Sequence, residues 1–312
     1  MSAREKAGIT EREKIAVPVI VNRHLREQIT HEESLFPISY FENELSGLPN
    51  REGPLHWHPE FEIARAETGT LEYQVGQNHI LLQAGDCLLV NGNLLHGVRQ
   101  IAGDRPDPMP VIVFSGTLIA PEASTLHQKY IAPIAECASL PCIVFRRQER
   151  RYDEIHRLVD DLFTLLKQRP DCYEMVVQRD LNRLFEYLYR HFEELPRWQA
   201  TRIQLRTQVR VQKMLSYLYA HYAEPITAAD IAQAASISRS EAARCFRDYM
   251  DCSPVNALIR YRLQTAHRLL HDTSWTVQQI SSACGFRSTN YFTRQFRKVY
   301  GYTPGQIRSL GK

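Results

Sequence analysis

The C-terminal third of the chain contains one sequence pattern twice. The segments SRSEAARCFRDY (238–249) and STNYFTRQFRKV (288–299) align at an offset of fifty residues, with a leading serine and a Phe-Arg pair in common. Just upstream the offset is forty-nine, which pairs Ile231 with Ile280. A duplicated supersecondary unit with one extra turn residue in the second copy explains both offsets. This part of the chain is therefore predicted to fold as two similar helical units.

Each copy has the pattern of a helix-turn-helix unit. Four helix starts are predicted from serine or threonine residues at N-cap positions. Three of these residues are followed, three positions later, by a residue that can complete a capping box. The pairs are Thr227 with Asp230, Ser238 with Glu241, and Thr276 with Gln279, and the fourth cap is Ser288. Gly285 marks the turn of the second copy. Pro254 begins a long helical pattern (254–270) that joins the two copies.

The second helix of each copy has one apolar and one polar face. The apolar positions predicted to be buried are Ala242, Phe246 and Tyr249 in the first copy and Phe292, Phe296 and Val299 in the second. The opposite faces carry Arg, Asn, Ser and Thr, and Arg and Asn can form bidentate hydrogen bonds with base edges in the major groove. The alternative is the solvated face of an ordinary helical bundle, and the repetition in register argues against it.

Charge is divided unevenly along the chain. Residues 207–312 contain 14 Lys or Arg and 6 Asp or Glu, a net charge of +8, whereas the whole chain has +3. This asymmetry indicates a polyanionic partner for the C-terminal third alone.

Residues 207–310 resemble the DNA-binding domain of the AraC/XylS family of transcription regulators, most specifically over ISSACGFRSTNYFTRQFRKVYGYTPGQIR (280–308). The resemblance implies that both units read consecutive major grooves of double-stranded DNA. It assigns base reading to Ser240, Ala243, Arg244, Thr289, Asn290, Thr293 and Arg294, and phosphate contacts to Arg247, Arg297 and Lys298. Because Ala243 offers only a methyl group, the first copy would read thymine methyls or contribute mainly affinity.

The N-terminal half has a different pattern. Between about 34 and 118, short apolar runs separated by turn residues predict an all-β sandwich or small barrel: LEYQV (71–75), HILL (79–82), CLLV (87–90) and VIVF (111–114). From 151 to 192, leucines recur at three- and four-residue intervals and predict a helical hairpin. The resemblance to the AraC/XylS family implies that these helices pack against the barrel and form a dimer contact.

The segment HWHPEFEI (56–63) concentrates polar side chains in this β region. In an extended strand, His56, His58, Glu60 and Glu62 would all lie on one face. With Gly69, and with His96 after Gly85, the spacing resembles the two motifs of the cupin family.

The cupin resemblance implies a barrel in which His56, His58, Glu62 and His96 can hold a divalent metal such as Mn, Fe, Ni or Zn. The second motif departs from the family pattern, since Asn91 replaces the usual proline and Asn93 the usual glycine.

Three interpretations of this segment remain open. The first is a pocket that hydrogen-bonds a small polar effector, with a carbohydrate as one candidate, through His56, His58, Glu60, Glu62, Tyr73 and His96. The second adds a metal ion that helps to hold the effector, and the third is a purely structural role. Only the second involves a cofactor.

Together these patterns predict a multidomain protein with an all-β cupin-like barrel, a helical hairpin and an all-α C-terminal domain. The expected parts are an N-terminal arm (1–33), an effector-sensing domain (34–150), a helical dimerisation segment (151–192), a linker (193–206) and a DNA-binding domain (207–312). No run of about 18 apolar residues occurs, and seven scattered cysteines suggest reduced thiols. We therefore expect a cytoplasmic, homodimeric, effector-responsive regulator with no membrane partner and no catalytic residues. The alternative is a metal-dependent cupin enzyme with a DNA-binding tail.

Overall fold

The computed structural model describes residues 36–45, 48, 51–103, 108–198 and 201–310. The predicted N-terminal arm, residues 1–33, lies outside the described residues. In the described part of the chain, no helix is both long and apolar enough to cross a bilayer. All seven cysteines are free thiols.

The N-terminal domain consists of antiparallel strands in two sheets. The strands are β1 (Ile38–Glu44), β2 (Phe61–Arg65), β3 (Thr70–Val75), β4 (Asn78–Gln83), β5 (Cys87–Val90), β6 (His96–Ala102), β7 (Pro108–Phe114) and β8 (Cys142–Phe145). One sheet has the order β1-β7-β2-β5-β8 and the other β4-β3-β6. Side chains from both sheets enclose one inner core, so the predicted all-β sandwich or barrel is confirmed.

The five-stranded sheet is buried on both faces. In β2, Glu62 and Ala64 point to the inner core, while Phe61 and Ile63 point to the outer side, where they pack against helices. β5 and β7 alternate in the same way. Burial on two faces explains why these strands read as continuous apolar runs rather than as apolar-polar alternation.

The outer face of this sheet is covered by helices. A short helix, α1 (Ala132–Ala135), precedes β8, and the predicted hairpin is confirmed as α2 (Asp153–Gln168) and α3 (Tyr173–Arg190). Two ion pairs connect α2 to the sheet, because Asp160 pairs with Arg65 and Lys167 pairs with Glu42. The helical hairpin is therefore an integral part of the N-terminal domain.

The C-terminal domain is entirely helical. Its helices are α4 (Arg202–Ala220), α5 (Ala228–Ala234), α6 (Arg239–Met250), α7 (Pro254–Asp272), α8 (Val277–Ala283), α9 (Thr289–Tyr300) and α10 (Pro304–Leu310). The predicted linker, 193–206, is too long, since a capping box between Thr201 and Gln204 starts α4 within it. Leu195, also in that segment, is buried against the N-terminal domain.

The predicted helix starts are found where the caps indicated them. Capping boxes at Thr227 and Thr276 are complete, and Ser238 and Ser288 cap α6 and α9. The box predicted at Ser238 is only half formed. Its expected partner, Glu241, instead forms salt bridges with Arg210 and Arg244, because two guanidinium groups compete for that carboxylate.

Two apolar cores hold the C-terminal domain together, and α7 runs through both. Ala257 and Leu258 belong to the core of α4, α5 and α6, whereas Leu263 and Leu270 belong to the core of α8, α9 and α10. A single helix anchored in both cores fixes the separation of α6 and α9, as two adjacent major-groove entries require.

Candidate functional site

The two helices predicted to contact DNA present their polar faces to solvent. Ten residues were predicted to contact DNA from the family resemblance. Seven of them are exposed: Ser240, Arg244, Arg247, Asn290, Arg294, Arg297 and Lys298. The other three, Ala243, Thr289 and Thr293, are half-buried. The opposite faces are buried as predicted, except that Val299 is only half-buried. The structure therefore places all ten residues on α6 and α9 or at their first turns.

The two candidate base-reading arginines differ in their surroundings. Arg244 donates from Nη2 to both carboxylate oxygens of Glu241 at 2.8 Å. Arg294 lies over the ring of Tyr291, with its guanidinium carbon 5.5 Å from the ring centroid. Arg294 thus has no acidic partner among the described contacts, whereas the guanidinium of Arg244 is engaged by Glu241.

Residues 56–63 do not form one continuous strand. His56 pairs with His96 in an isolated bridge, the chain bends at Pro59 and Glu60, and β2 begins only at Phe61. The expectation that His56, His58, Glu60 and Glu62 line one strand face is therefore wrong. The bend turns the half-buried Glu60 away from the other three, although its Oε2 lies 3.7 Å from His58 Nδ1.

The other four predicted ligands converge. His56, His58, Glu62 and His96 each offer a ligand atom, and these atoms all lie within 4.8 Å of one another. Their exposed fractions are 7%, 1%, 4% and 1%. Glu62 Oε2 lies 3.3 Å from His96 Nε2 and 3.5 Å from His58 Nε2. We call these four residues the histidine-glutamate cluster.

Each imidazole of the cluster is oriented by a hydrogen bond to a backbone carbonyl two residues away in the sequence. The Nδ1–H of His56 donates to the carbonyl oxygen of Pro54 at 3.0 Å, that of His58 to Glu60 at 3.1 Å, and that of His96 to Leu94 at 2.8 Å. Since a carbonyl only accepts, Nδ1 carries the proton in all three rings. Nε2 is then left to face the centre of the cluster, the arrangement typical of histidines that bind metals.

Electrostatics favour a cation at the centre. Burial, reinforced by the nearby His96 and His58, holds the pKa of His56 well below its ordinary value, so this ring is neutral. Burial alone would raise the pKa of Glu62, but His96 and His58 outweigh it and lower that pKa well below its usual range. Glu62 is thus an ionised carboxylate facing imidazole nitrogens, and it needs either a proton on one ring or a metal ion between them. Three nitrogens and one carboxylate suit a divalent transition metal.

Tyr73 completes the surroundings of the cluster. Its hydroxyl donates to Glu62 Oε1 at 2.9 Å, which leaves Oε2 to face the histidines. The side chain of Tyr73 is buried in the inner core.

Asn91 and Asn93, which replace the usual proline and glycine of the second cupin motif, preserve the local geometry of that motif. Asn93 adopts a left-handed conformation with φ of 61°, which asparagine tolerates, and its N–H donates to the carbonyl of His58 at 2.6 Å. The buried side chain of Asn91 donates to the carbonyls of Ile134 and Leu140. The turn before His96 is therefore held in place without the usual proline and glycine.

An open cleft of about 900 Å³ lies between the two domains. Glu72 and Arg99 line it from the N-terminal side, and Arg247, Arg260 and Lys298 from the C-terminal side. Two of the predicted phosphate contacts, Arg247 and Lys298, thus border the N-terminal domain, which nothing in the sequence signalled.

Comparisons with known proteins match both halves of the chain. A helix-turn-helix domain model matches residues 231–309, and a cupin domain model matches residues 48–107. The chain is 26% identical over 291 residues to the HTH-type transcriptional regulator YdeC of Bacillus subtilis, which is described as uncharacterized, with 93% of this chain and 98% of YdeC covered.

Two further likenesses are partial or distant. The HTH-type transcriptional regulator CdhR of Pseudomonas aeruginosa is 32% identical over 120 residues, which covers 37% of this chain and 36% of CdhR. A solved structure of ToxT from Vibrio cholerae covers 88% of this chain and 98% of its own, at 11% identity and a TM-score of 0.46.

The relatives named here are transcription regulators, and this decides between the regulator and the enzyme that the sequence left open. The two domain matches agree with the duplicated helical units and with the β domain that holds the histidine-glutamate cluster. The chain therefore contains an AraC-type helix-turn-helix domain and an N-terminal cupin domain, and it is similar to HTH-type transcriptional regulators.

Proposed function

We propose that this regulator binds double-stranded DNA through α6 and α9, and that a divalent transition metal in the histidine-glutamate cluster controls its occupancy of DNA. The observation that carries the proposal is the convergence of four buried ligand atoms within 4.8 Å of one another. Three of them belong to imidazoles whose other nitrogen is fixed by a backbone carbonyl. Such preorganisation lowers the cost of binding an ion.

Burial favours an ion over a bare sugar as the direct occupant of the cluster. The four side chains are at most 7% exposed, so a molecule of carbohydrate size reaches them only if the surrounding core opens. A single ion needs no such opening. A small polar effector, carbohydrates included, would then act by coordinating the ion or by binding at its margin near Glu60 and Tyr73.

The ion's contribution would be electrostatic and geometric. When bound, it supplies a positive charge beside the ionised Glu62. His56, His58 and His96 would hold it together with Glu62, and Tyr73 keeps the carboxylate oriented by its hydrogen bond to Oε1. No redox or hydrolytic step is part of the proposal.

Two copies are expected to act together. The outer side of α3 carries Met175 and Tyr189, which are 74% and 39% exposed. This is the side of the hairpin on which a second copy would pack, because α2 is already engaged with the sheet through Arg65 and Glu42. Sedimentation equilibrium of the wild type and of Met175→Asp tests this part, and a monomeric wild type contradicts it.

The metal proposal is tested by titrating the chelator-treated full chain with Mn²⁺, Ni²⁺ and Zn²⁺ while heat release and melting temperature are recorded. We expect one site per chain and a rise in melting temperature that grows with the ratio of free metal to Kd. Glu62→Gln should weaken binding by about 10- to 100-fold or more, because it removes the only anionic ligand.

Glu60→Gln is the matched control, since Glu60 lies two residues away and outside the cluster. It should bind the metal as the wild type does. Absence of binding of all three ions to the wild type, or equal loss in both variants, rules the metal site out.

A further inference from the structure

Two short segments connect the histidine-glutamate cluster directly to the DNA-binding domain. Residues 55–58 and 94–96 lie side by side as an antiparallel ribbon. The N–H of His56 donates to the carbonyl of His96 at 2.9 Å, and the N–H of His96 donates back to His56 at 2.8 Å. We call these two segments the histidine ribbon.

The two faces of the histidine ribbon belong to different domains. His56, His58 and His96 point into the cluster. Their sequence neighbours Leu55, Trp57 and Leu95 point the other way and pack in the apolar core that α4, α5 and α6 form. Leu95 is completely buried there, and Leu55 is 8% exposed. The interface between the domains is thus the reverse side of the metal site.

Hydrogen bonds hold the C-terminal domain to the same region. The carbonyl of Asn93, two residues before Leu95, accepts from Gln212 at 3.1 Å and from Gln208 at 3.4 Å, both on α4. On the neighbouring strand, Gln74 donates to the carbonyl of Tyr249 at 2.6 Å, near the end of α6. Tyr249 is two residues from Arg247, a predicted phosphate contact.

The packing leaves one polar group unsatisfied. The indole N–H of Trp57 is buried and has no hydrogen-bond partner in the described part of the chain. Burying such a donor without a partner destabilises the packing. A small shift of the interface that gave this N–H a partner would remove that penalty.

We propose that the histidine ribbon transmits metal occupancy of the cluster to α4 and α6, so that metal and DNA change each other's affinity. An ion held by all three histidines would draw their Nε2 atoms toward one point. Because successive side chains alternate across an extended ribbon, the histidines cannot move without Leu55, Trp57 and Leu95. These side chains sit in a close-packed core, which transmits the displacement to α4 and α6.

This inference rests on the proposed metal site, and it adds the route by which that site regulates DNA binding. Its direct consequence is reciprocal linkage, since DNA must change metal affinity by the same factor as metal changes DNA affinity. A positive coupling means that metal binding strengthens DNA binding, and a negative coupling means that it weakens it. The size of the coupling, compared between the wild type and variants of the ribbon, tests whether the ribbon is the route.

The experiment measures the Kd of Co²⁺ for the full chain from its absorption spectrum, with and without saturating duplex DNA. The duplex is one that the full chain selects from a random-sequence library. We expect the two Kd values to differ by about 5-fold or more. In Leu55→Ala/Leu95→Ala, the Kd without DNA should stay within about twofold of the wild type, and the effect of DNA should fall to near unity.

Leu162→Ala is the matched control, because Leu162 is as completely buried as Leu95 but belongs to α2 and to the core of the outer helices, away from the ribbon. It should keep the wild-type coupling. Gln208→Ala/Gln212→Ala provides a second test with little loss of core packing, and it should reduce the coupling as well.

The outcomes separate the two proposals. If the wild type does not bind Co²⁺, the proposed metal site fails. If it binds Co²⁺ with one Kd regardless of DNA, the metal site stands and the ribbon coupling is overturned. Coupling of wild-type strength in both double variants also overturns the ribbon as the route.

Discussion

Ser236 occupies in the first helix-turn-helix unit the position that Gly285 occupies in the second, and both have a left-handed backbone, with φ of 55° and 76°. A Cβ at Gly285 would lie 2.8 Å from the carbonyl oxygens of Tyr222 and Ala223. The second unit therefore requires glycine at this turn, whereas the first keeps a residue for which the conformation is unfavourable.

Replacement of Ser236 by glycine should stabilise the first unit. Relief of the left-handed strain outweighs the added flexibility of the unfolded chain, so we expect the free energy of unfolding to rise by about 0.5–1 kcal/mol. Urea denaturation followed by circular dichroism measures the change. Ser240→Gly, within α6, should lower stability, and a similar loss in Ser236→Gly would contradict the strain.

Ser281→Ala should also stabilise the protein. Ser281 is fully buried in α8, and its hydroxyl has no hydrogen-bond partner among the described residues. Ala232 stands at the equivalent position of the first unit. Removing an unsatisfied buried hydroxyl should raise the free energy of unfolding by about 1 kcal/mol. Ser282→Ala, at an exposed neighbour, should change it by less than about 0.5 kcal/mol.

Arg294→Ala should weaken DNA binding and relax its specificity at one base position. Its guanidinium is exposed on α9 and rests on Tyr291 rather than on an acidic side chain. We expect a loss of about 1–3 kcal/mol with the selected duplex and a smaller loss with unrelated DNA. Fluorescence anisotropy at fixed salt measures both. Arg183→Ala, on the distant α3, should leave binding unchanged, and equal losses on all sequences would make Arg294 a phosphate contact instead.

Stability should fall in mild acid because of His267. Burial, with a smaller effect of His271, lowers the pKa of His267 from 6.5 to about 4. A histidine whose folded pKa lies below its unfolded pKa stabilises the fold above pH 6.5, and this contribution is lost as the pH falls toward 4. His267→Phe should flatten this part of the curve of melting temperature against pH. If the variant and the wild type show the same slope, His267 does not titrate with folding.

The helix starts of the C-terminal domain could be predicted from the sequence, because contacts between residues close in the sequence determine them. Caps such as Thr227 and Thr276 fix helix starts through contacts three residues away, so they could be recognised directly. Their precise partners were less certain, because Arg210, far upstream in the sequence, competes for Glu241. The four-residue strand β8 was not predicted, since its partner is β5 and so short a run carries little periodicity.

The candidate site was predictable only in part. The positions of His56, His58, Glu62 and His96 came from the motif spacing, and the structure brings them together. Glu60 was misplaced because a period of two cannot anticipate the bend at Pro59. The roles of Leu55 and Leu95 were not predicted at all. An apolar residue beside a strand is ordinary, and nothing local indicates that its neighbours belong to another domain.

The shared core has a consequence for how the chain unfolds and for where it can be divided. Leu55 and Leu95 belong to the same core as α4, α5 and α6, whereas α8, α9 and α10 have a core of their own. The boundary between cooperative folding units therefore lies within α7 rather than in the segment before α4. A fragment that begins at Thr201 would expose the surface that Leu55, Trp57 and Leu95 now cover, so we expect loss of the N-terminal domain to destabilise α4, α5 and α6 more than α8, α9 and α10.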